Sequence, residues 1–223
     1  MTINNILESR NISALIHFTR LENLPSIMTH GIQPRAVIDN PNNRINGFTN
    51  DTIRVDGKTD ANCLSISYPN CSMLYKLRNE NPQTSWVVIA VKPEILLTKP
   101  CLFYPTNAAC NQVRHLAPSN FTGPAALSKM FDETIVGKVV TVRTEHPYLL
   151  PCDPTDVQAE VLVYGTIEPH LIIGCIFERE SQRAEFAKNY SGFKSSAKNG
   201  WGVFDNRKQS RQNGYTGVSI NRG

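Results

Sequence analysis

Three stretches of the chain carry a hydrophobic pattern that is typical of β-strands. Apolar and polar residues alternate over residues 62–68, as expected of a strand with one buried face. Residues 86–91, Trp-Val-Val-Ile-Ala-Val, are apolar throughout, which indicates a central strand. Alternation returns over residues 156–165 and places Glu160 on the same strand as several apolar residues.

A strand and a helix follow each other near the N-terminus. Residues 14–19 predict a short strand, and residues 23–31 predict a helix that begins with Asn, has Pro in its first turn and ends with Gly. His17 and Thr19 therefore lie near a junction between a strand and a helix. The polar residues 39–60 predict a long loop, and loops of this length are usually functional or mobile.

The rest of the chain predicts short elements in mixed order, which is typical of an α+β domain. We expect helices near residues 72–78, 124–131 and 179–188, strands at 138–143 and 171–177, a turn or short helix at Pro93, and irregular structure over 101–122. This organisation gives one domain over residues 1–189. Residues 190–223, rich in Gly, Ser and Asn, predict an irregular, partly mobile tail.

Composition and charge agree with a single domain and leave the partner open. With 223 residues, 40% of them hydrophobic, the chain can bury one core. The net charge of +4 arises from residues 178–223, which hold nine Lys and Arg against four Asp and Glu. This basic end could follow the phosphates of a nucleic acid or face solvent without a partner.

Targeting signals and metal-binding spacings are not found in the sequence. The N-terminus lacks the basic-then-apolar order of a signal peptide, and no apolar run is long enough to span a membrane. We therefore expect a cytoplasmic protein with no membrane partner. The six cysteines follow neither a Cys-x-x-Cys nor a zinc-type spacing, so we expect no metal and reduced, mostly buried thiols.

Glu160 is the first candidate for a catalytic residue. A carboxylate among apolar residues is costly unless it is paired or used in chemistry, although an edge strand could also expose it to water. Its companions along the chain favour chemistry: His17 at the end of the first strand, Arg54 in the long loop, and the segment 72–75, Ser-Met-Leu-Tyr, at the start of a helix.

This ordered set resembles the NAD-binding core of ADP-ribosyltransferases of the His-Tyr-Glu type, and most closely the DarT family of bacterial toxins that ADP-ribosylate bases in single-stranded DNA. The similarity runs from about residue 14 to residue 180. The matching motifs are His17-Phe18-Thr19 with Asn23, Leu24, Ile27 and Gly31, then Arg54, then Met73-Leu74-Tyr75, and Gln158 to Tyr164. The resemblance implies an α+β, ADP-ribosyltransferase-like fold: two small, mostly antiparallel sheets around a central NAD cleft, with short peripheral helices.

The resemblance also implies how the first motif would bind NAD. His17 would hydrogen-bond the adenosine ribose, with its other ring nitrogen held by backbone. Thr19, Asn23 and Leu24 would shape the adenosine and diphosphate side, where N–H groups at a helix start are available to oxygen acceptors. Taken singly, a buried core histidine and ordinary helix capping explain the same residues.

Four further residues would hold the nicotinamide end and perform the reaction. Tyr75 would stack on the nicotinamide and Ser72 would bond its carboxamide, or Tyr75 would pack in the core and Ser72 would cap a helix. Glu160 would stabilise the oxocarbenium-like state and take a proton from the acceptor base. Arg54 would contact NAD and orient that base, or be a solvated loop residue. NAD is the only cofactor implied.

The acceptor DNA would lie against the loop that precedes the catalytic strand, about residues 143–156. His146 and Tyr148 could stack on an unpaired base there, unless the segment is an ordinary proline-rich loop. Further candidates for contact with single-stranded DNA are Asn107, Arg114 and His115.

The identity of the acceptor base is predicted from two segments. Residues 54–57, Arg-Val-Asp-Gly, and residues 60–67, Asp-Ala-Asn-Cys-Leu-Ser-Ile-Ser, look more like the guanine-modifying branch, which favours guanosine over thymidine. An ADP-ribosyltransferase acting on RNA or protein is an alternative. A non-catalytic nucleotide-binding module is another, but it has no use for a carboxylate beside an anionic ligand. The family also implies a partner antitoxin that removes the modification.

Overall fold

The computed structural model describes residues 1–43, 45, 47–49 and 56–218. The helices in this part are α1 (Ile3–Ser9), α2 (Leu24–His30), α3 (Arg35–Ile38), α4 (Cys71–Glu80), α5 (Ile95–Thr98), α6 (Gly123–Lys129), α7 (Glu180–Asn189) and α8 (Arg207–Gln212). The strands are β1 (Leu15–Arg20), β2 (Ala61–Ile66), β3 (Trp86–Val91), β4 (Cys101–Tyr104), β5 (Thr134–Val136), β6 (Val140–Val142), β7 (Glu160–Tyr164), β8 (Ile172–Phe177) and β9 (Lys194–Ala197). Short 3-10 helices occupy Leu21–Asn23, Pro118–Phe121, Arg143–Glu145 and Pro169–Leu171.

Seven strands form one sheet in the order β4-β7-β2-β1-β3-β8-β9, and β5 pairs with β6 in a separate hairpin. Neighbouring strands are antiparallel except β8 and β9. The ladder between β1 and β2 has only two residue pairs, Leu15 with Ile66 and Ile16 with Ser65. Beyond these pairs β1 continues along β3 and β2 along β7, so the sheet divides into two halves. The predicted α+β class, with two mostly antiparallel sheets around a cleft, is confirmed.

The central strands are covered on both faces. Val87 and Ile89 of β3 pack in the largest core cluster, which also takes in α1, α2 and α6. Trp86 and Val88 of the same strand face a second cluster formed with α4 and the chain near Phe204. Burial on both faces explains why β3 is apolar throughout instead of alternating.

β4 and β7 differ from the prediction because their pattern is short or interrupted. β4 lies within residues 101–122, predicted to be irregular, and four residues are too few to show a period. β7 begins only at Glu160, because Asp156 turns the chain just before it: its Oδ1 accepts from the N–H of Gln158 at 2.8 Å and its carbonyl accepts from Ala159 at 3.1 Å.

Residues 190–218 contain a strand and a helix, β9 and α8, so the prediction of an irregular tail is wrong for this segment. β9 adds to the sheet beside β8, and the side chain of Asn206 caps α8 by accepting from two backbone N–H groups. Arg207 and Arg211, two of the basic residues expected to face phosphates or solvent, are buried. Their side chains bond protein groups and are therefore not available to a nucleic-acid backbone.

The cysteines are less buried than predicted. Cys71 and Cys175 are buried, and the half-buried cysteines are Cys63, Cys101, Cys110 and Cys152.

Among the residues described above, no helix is long and apolar enough to cross a membrane. The same residues contain no group of three or more His, Cys, Asp or Glu placed to hold a metal ion.

Candidate functional site

A cleft opens at the point where β1 and β2 separate. Its walls are formed by these two strands, by α2 and the residues after it, by the start of α4, and by the described part of the loop 39–60. Four of the residues predicted from sequence to serve NAD line this one cleft: His17, Thr19, Asn23 and Glu160. The divided sheet thus brings together side chains that lie up to 143 positions apart in the sequence.

His17 is held in a defined protonation state at the point where β1 and β2 separate. Its Nδ1 lies 3.0 Å from the backbone carbonyl of Cys63. Because a carbonyl only accepts hydrogen bonds, Nδ1 carries the proton and Nε2 of the neutral ring is an acceptor. Burial lowers the pKa of His17 below its ordinary value and outweighs the opposing effect of the bond to Cys63. The ring is therefore a neutral, oriented acceptor.

Asn23 connects the start of α2 to the loop that covers the cleft. Its Nδ2 donates to Thr19 Oγ1 at 2.8 Å and to the carbonyl of Phe48 at 2.9 Å, and its Oδ1 accepts from the N–H of Phe48 at 2.7 Å. The side chain therefore does not cap α2, as helix capping alone would require. It fixes Phe48, whose half-exposed ring lies 5.9 Å from the guanidinium of Arg20.

Glu160 is the first residue of β7 and its carboxylate is held from two sides. Oε1 accepts from Nδ2 of Asn107 at 2.9 Å, and Oε2 accepts from the N–H of Ala108 at 3.0 Å. β7 lies between β4 and β2, so the alternative of an edge strand exposed to water is wrong. Asn107, predicted to contact DNA, lies against the carboxylate of Glu160. Asn107 and Ala108 thus help to orient this carboxylate at the cleft wall.

Three predicted NAD residues lie outside the cleft lining. The side chain of Leu24 is buried in the core, so that only its backbone can serve a ligand. Ser72 and Tyr75 are exposed on α4, and Tyr75 is 67% exposed. Neither of their alternatives holds, because Tyr75 is not in the core and the N-cap of α4 is Asn70, which accepts from the N–H of Met73 at 3.1 Å. Asn70 and Met73 do line the cleft, so Ser72 and Tyr75 lie on the helix that borders it.

The residues predicted to serve DNA are dispersed. His146 and Tyr148 form a pair in the segment before β7, with ring centroids 5.4 Å apart. Arg114 and His115 are exposed in a turn between β4 and α6. Arg54 lies outside the described residues.

Among the residues that line the cleft, Phe48, Asn62 and Asn70 were not predicted from the sequence as site residues. Asn62 is buried in β2, where its Nδ2 donates to the carbonyls of Gly165 at 2.8 Å and Ile32 at 3.2 Å. The signal that singled out Glu160, a polar residue within an apolar strand, applies equally to Asn62. Asn70 could have been recognised from the sequence as a helix N-cap, because it lies three residues before Met73. Phe48 is an isolated aromatic residue in a polar loop and gives no local signal.

A mostly antiparallel sheet that divides around a cleft, with a histidine on the first strand and a glutamate on a late one, defines the class of protein: the ADP-ribosyltransferase fold. A family model described as DarT, the single-stranded-DNA thymidine ADP-ribosyltransferase, matches residues 16–199. The chain belongs to this family, so the DarT resemblance seen in the sequence is confirmed. The guanine-modifying branch is not supported, because the family description names thymidine.

Solved structures of this family share the fold. DarTG of Thermosipho africanus in complex with ADP-ribose has 18% identity and a TM-score of 0.57, over 83% of this chain and 49% of that one. The chain thus spans about half the length of DarTG. DarT of Thermus sp. 2.9 in complex with NAD+ has 14% identity and a TM-score of 0.54, over 83% and 95% of the two chains. The same protein with ADP-ribosylated single-stranded DNA has a TM-score of 0.55 and 14% identity, over 84% and 93%. The search of curated proteins found no match.

Proposed function

We propose that this chain transfers ADP-ribose from NAD to a base in single-stranded DNA, releasing nicotinamide, and that the base is thymidine. The observation that carries the proposal is the family match over residues 16–199 combined with a cleft lined by both His17 and Glu160. Relatives of the same fold are described in complex with NAD+ and with ADP-ribosylated single-stranded DNA, which supports both the donor and the acceptor.

The arrangement of the cleft suits the proposed reaction. Nε2 of His17 would accept a hydrogen bond from a ribose hydroxyl of NAD. Glu160, oriented by Asn107 and Ala108, would stabilise the positive charge that develops as the bond between ribose C1′ and nicotinamide breaks. Nicotinamide leaves with the electron pair of that bond. The N3 of thymine, its only N–H in DNA, would form the new bond to C1′ and release its proton to Glu160.

Guanosine is the second candidate acceptor, because residues 60–67 resemble the guanine-modifying branch more than the thymidine-modifying members. The DarTG relative extends beyond the length of this chain, and we include in the proposal a partner antitoxin that removes the modification. An acceptor in RNA or protein would use the same cleft and differ in the segment before β7.

The experiment that tests the proposal uses four short single-stranded oligonucleotides, each lacking one base, incubated with NAD and followed by intact mass spectrometry. We expect a gain of one ADP-ribose on every oligonucleotide except the one without thymine. Glu160→Ala should reduce the rate at least about a thousandfold. Glu185→Ala is the matched control, because Glu185 is an exposed glutamate paired with Lys188 on α7, and it should react as the wild type does.

Each other outcome has a defined meaning. Loss of the adduct only without guanine would replace thymidine by guanosine and keep the enzyme class. No adduct on any DNA, with NAD binding detected by calorimetry, would favour an RNA or protein acceptor, or a binding module. Full activity of Glu160→Ala would remove Glu160 from the mechanism.

A further inference from the structure

Helix α8 places an arginine against the segment before β7, which comprises residues 143–156. Arg211 forms a two-pronged ion pair with Asp153, from Nε to Oδ2 at 2.8 Å and from Nη2 to Oδ1 at 2.6 Å. The side chains are 1% and 0% exposed. Asp153 also accepts from Ser67 Oγ at 2.7 Å and from the N–H of Leu150 at 3.0 Å. Burial alone would raise the pKa of Asp153, but the bonds from Arg211 hold that pKa below its ordinary value.

A second arginine of α8 binds the backbone of the same segment. Arg207 Nη1 donates to the carbonyl of Pro154 at 2.9 Å, and its Nη2 donates to the carbonyl of Thr155 at 3.1 Å. From inside the segment, Arg143 donates to the carbonyls of Asp153 at 2.8 Å and Leu150 at 3.0 Å. The carbonyls of four residues between 150 and 155 are therefore held by guanidinium groups.

These contacts concern a segment with a defined place in the fold. It carries His146 and Tyr148, and it leads directly into Glu160. The two arginines of α8 lie beyond residue 199, where the family match ends. A buried ion pair contributes little net stability, because desolvation offsets most of its attraction. The geometry that the pair imposes on the segment is therefore the better explanation for it.

We propose that Arg207 and Arg211 are positioning residues for the DNA acceptor: they hold residues 146–155 in the conformation that presents an unpaired base to Glu160. The inference rests on the proposed function, because it assigns to α8 the alignment of the substrate of that same site. We expect NAD binding to be independent of this alignment, since none of the residues 146–155 lines the cleft.

The test compares Arg211→Lys and Arg207→Lys, which keep the positive charge but lose the planar two-pronged geometry. Arg183→Lys is the matched control, because Arg183 pairs with Glu180 on the surface of α7. In both α8 variants we expect the KM for the oligonucleotide to rise about tenfold, while NAD affinity stays within about twofold of wild type. Hydrogen exchange should become faster at the amide of Leu150, whose N–H donates a hydrogen bond to Asp153 in the wild type.

The result that overturns the inference is an unchanged KM for DNA in folded variants. A fall in melting temperature with equal losses in DNA and NAD affinity also overturns it, because this pattern indicates a merely structural role. Arg207→Lys decides the question if Arg211→Lys does not fold, since Arg207 binds neutral carbonyls and its replacement leaves Arg211 with Asp153 intact. Failure of the proposed function is recognised separately, by the absence of any DNA adduct with the wild type.

Discussion

Nδ1 of His17 lies 3.0 Å from the carbonyl oxygen of Cys63, at the point where the two halves of the sheet separate. The ladder between their strands ends at Ile16 and Ser65, so this side-chain bond is the next connection between β1 and β2. It connects the two walls of the cleft and also fixes the tautomer of the ring. One hydrogen bond therefore links the geometry of the fold to the acceptor that we propose for a ribose hydroxyl.

The two functions of His17 can be separated by substitution. In His17→Asn the side-chain amide can replace Nδ1 as the donor to Cys63, but no atom replaces Nε2. We expect this variant to keep its stability within about 1 kcal/mol of wild type and to bind NAD about tenfold more weakly. His17→Ala loses both contacts and should be less stable than His17→Asn. Urea unfolding and calorimetry measure the two quantities, and wild-type NAD affinity in His17→Asn would contradict the assignment.

Burial of His17 also predicts a dependence of stability on pH. The pKa of His17 is lowered in the folded protein, mainly by burial, whereas the unfolded chain titrates near 6.5. Below pH 6.5 the unfolded state therefore binds more protons than the folded state. The contribution of His17 to stability is present above pH 6.5 and is lost as the pH falls through the lowered pKa.

The control for this effect is His17→Asn, which has no titrating group at that position. We expect the stability of the wild type relative to His17→Asn to decrease between pH 7.5 and pH 5.5, because only the wild type loses the contribution of a buried neutral imidazole. Urea unfolding of both proteins at several pH values measures this difference. A constant difference would show that the pKa of His17 is the same in the folded and unfolded states.

Asn107 provides a test of how Glu160 is oriented. Asn107→Ala removes the donor to Oε1 but leaves the N–H of Ala108, so we expect a tenfold to hundredfold loss of kcat, of the order seen for lost positioning contacts. Asn107→Asp places a second carboxylate beside Glu160, which disfavours the ionised form of Glu160. With increasing pH, the activity of Asn107→Asp should therefore rise at a higher pH than the activity of the wild type does. Parallel pH profiles of Asn107→Asp and the wild type would contradict a direct contact.

The sequence predicted the parts of the site that have a local signal. His17 and Glu160 each lie on a strand that its own hydrophobic pattern reveals, and Gly31 follows a recognisable helix. The pairings that build the site have no such signal. Asn23 and Phe48 are 25 positions apart, and Asn107 and Glu160 are 53 apart. Only the folded chain brings these partners together.

The C-terminal segment shows why polarity misled the prediction. Residues 190–218 are rich in Gly, Ser, Asn and basic residues, a composition typical of solvated segments. In the structure their guanidinium groups find partners inside the protein, above all Asp153, which lies 58 positions before Arg211. A basic residue is tolerated in the interior when its hydrogen bonds are satisfied, and sequence pattern alone does not reveal the partner.

Gly31 combines a left-handed backbone with a close backbone contact. It ends α2 with φ of 81°, and a Cβ at this position would overlap the carbonyl oxygen of Ile167. The next residue, Ile32, exchanges two backbone hydrogen bonds with Ile167, each 2.9 Å long, so the two segments cannot separate without losing both. We expect Gly31→Ala to lower the free energy of unfolding by about 3 kcal/mol or more, as strain and steric overlap add.

The matched control is Gly165→Ala. Gly165 has a similar φ of 77°, but no atom lies within 4 Å of the position that its Cβ would occupy. Its substitution should therefore cost only the strain of the left-handed backbone, about 1–2 kcal/mol. Urea unfolding of both variants measures the difference. Because Gly31 also lines the cleft, Gly31→Ala should weaken NAD binding while Gly165→Ala should not. Equal stability losses in the two variants would show that the chain around Ile167 relaxes to admit the methyl group.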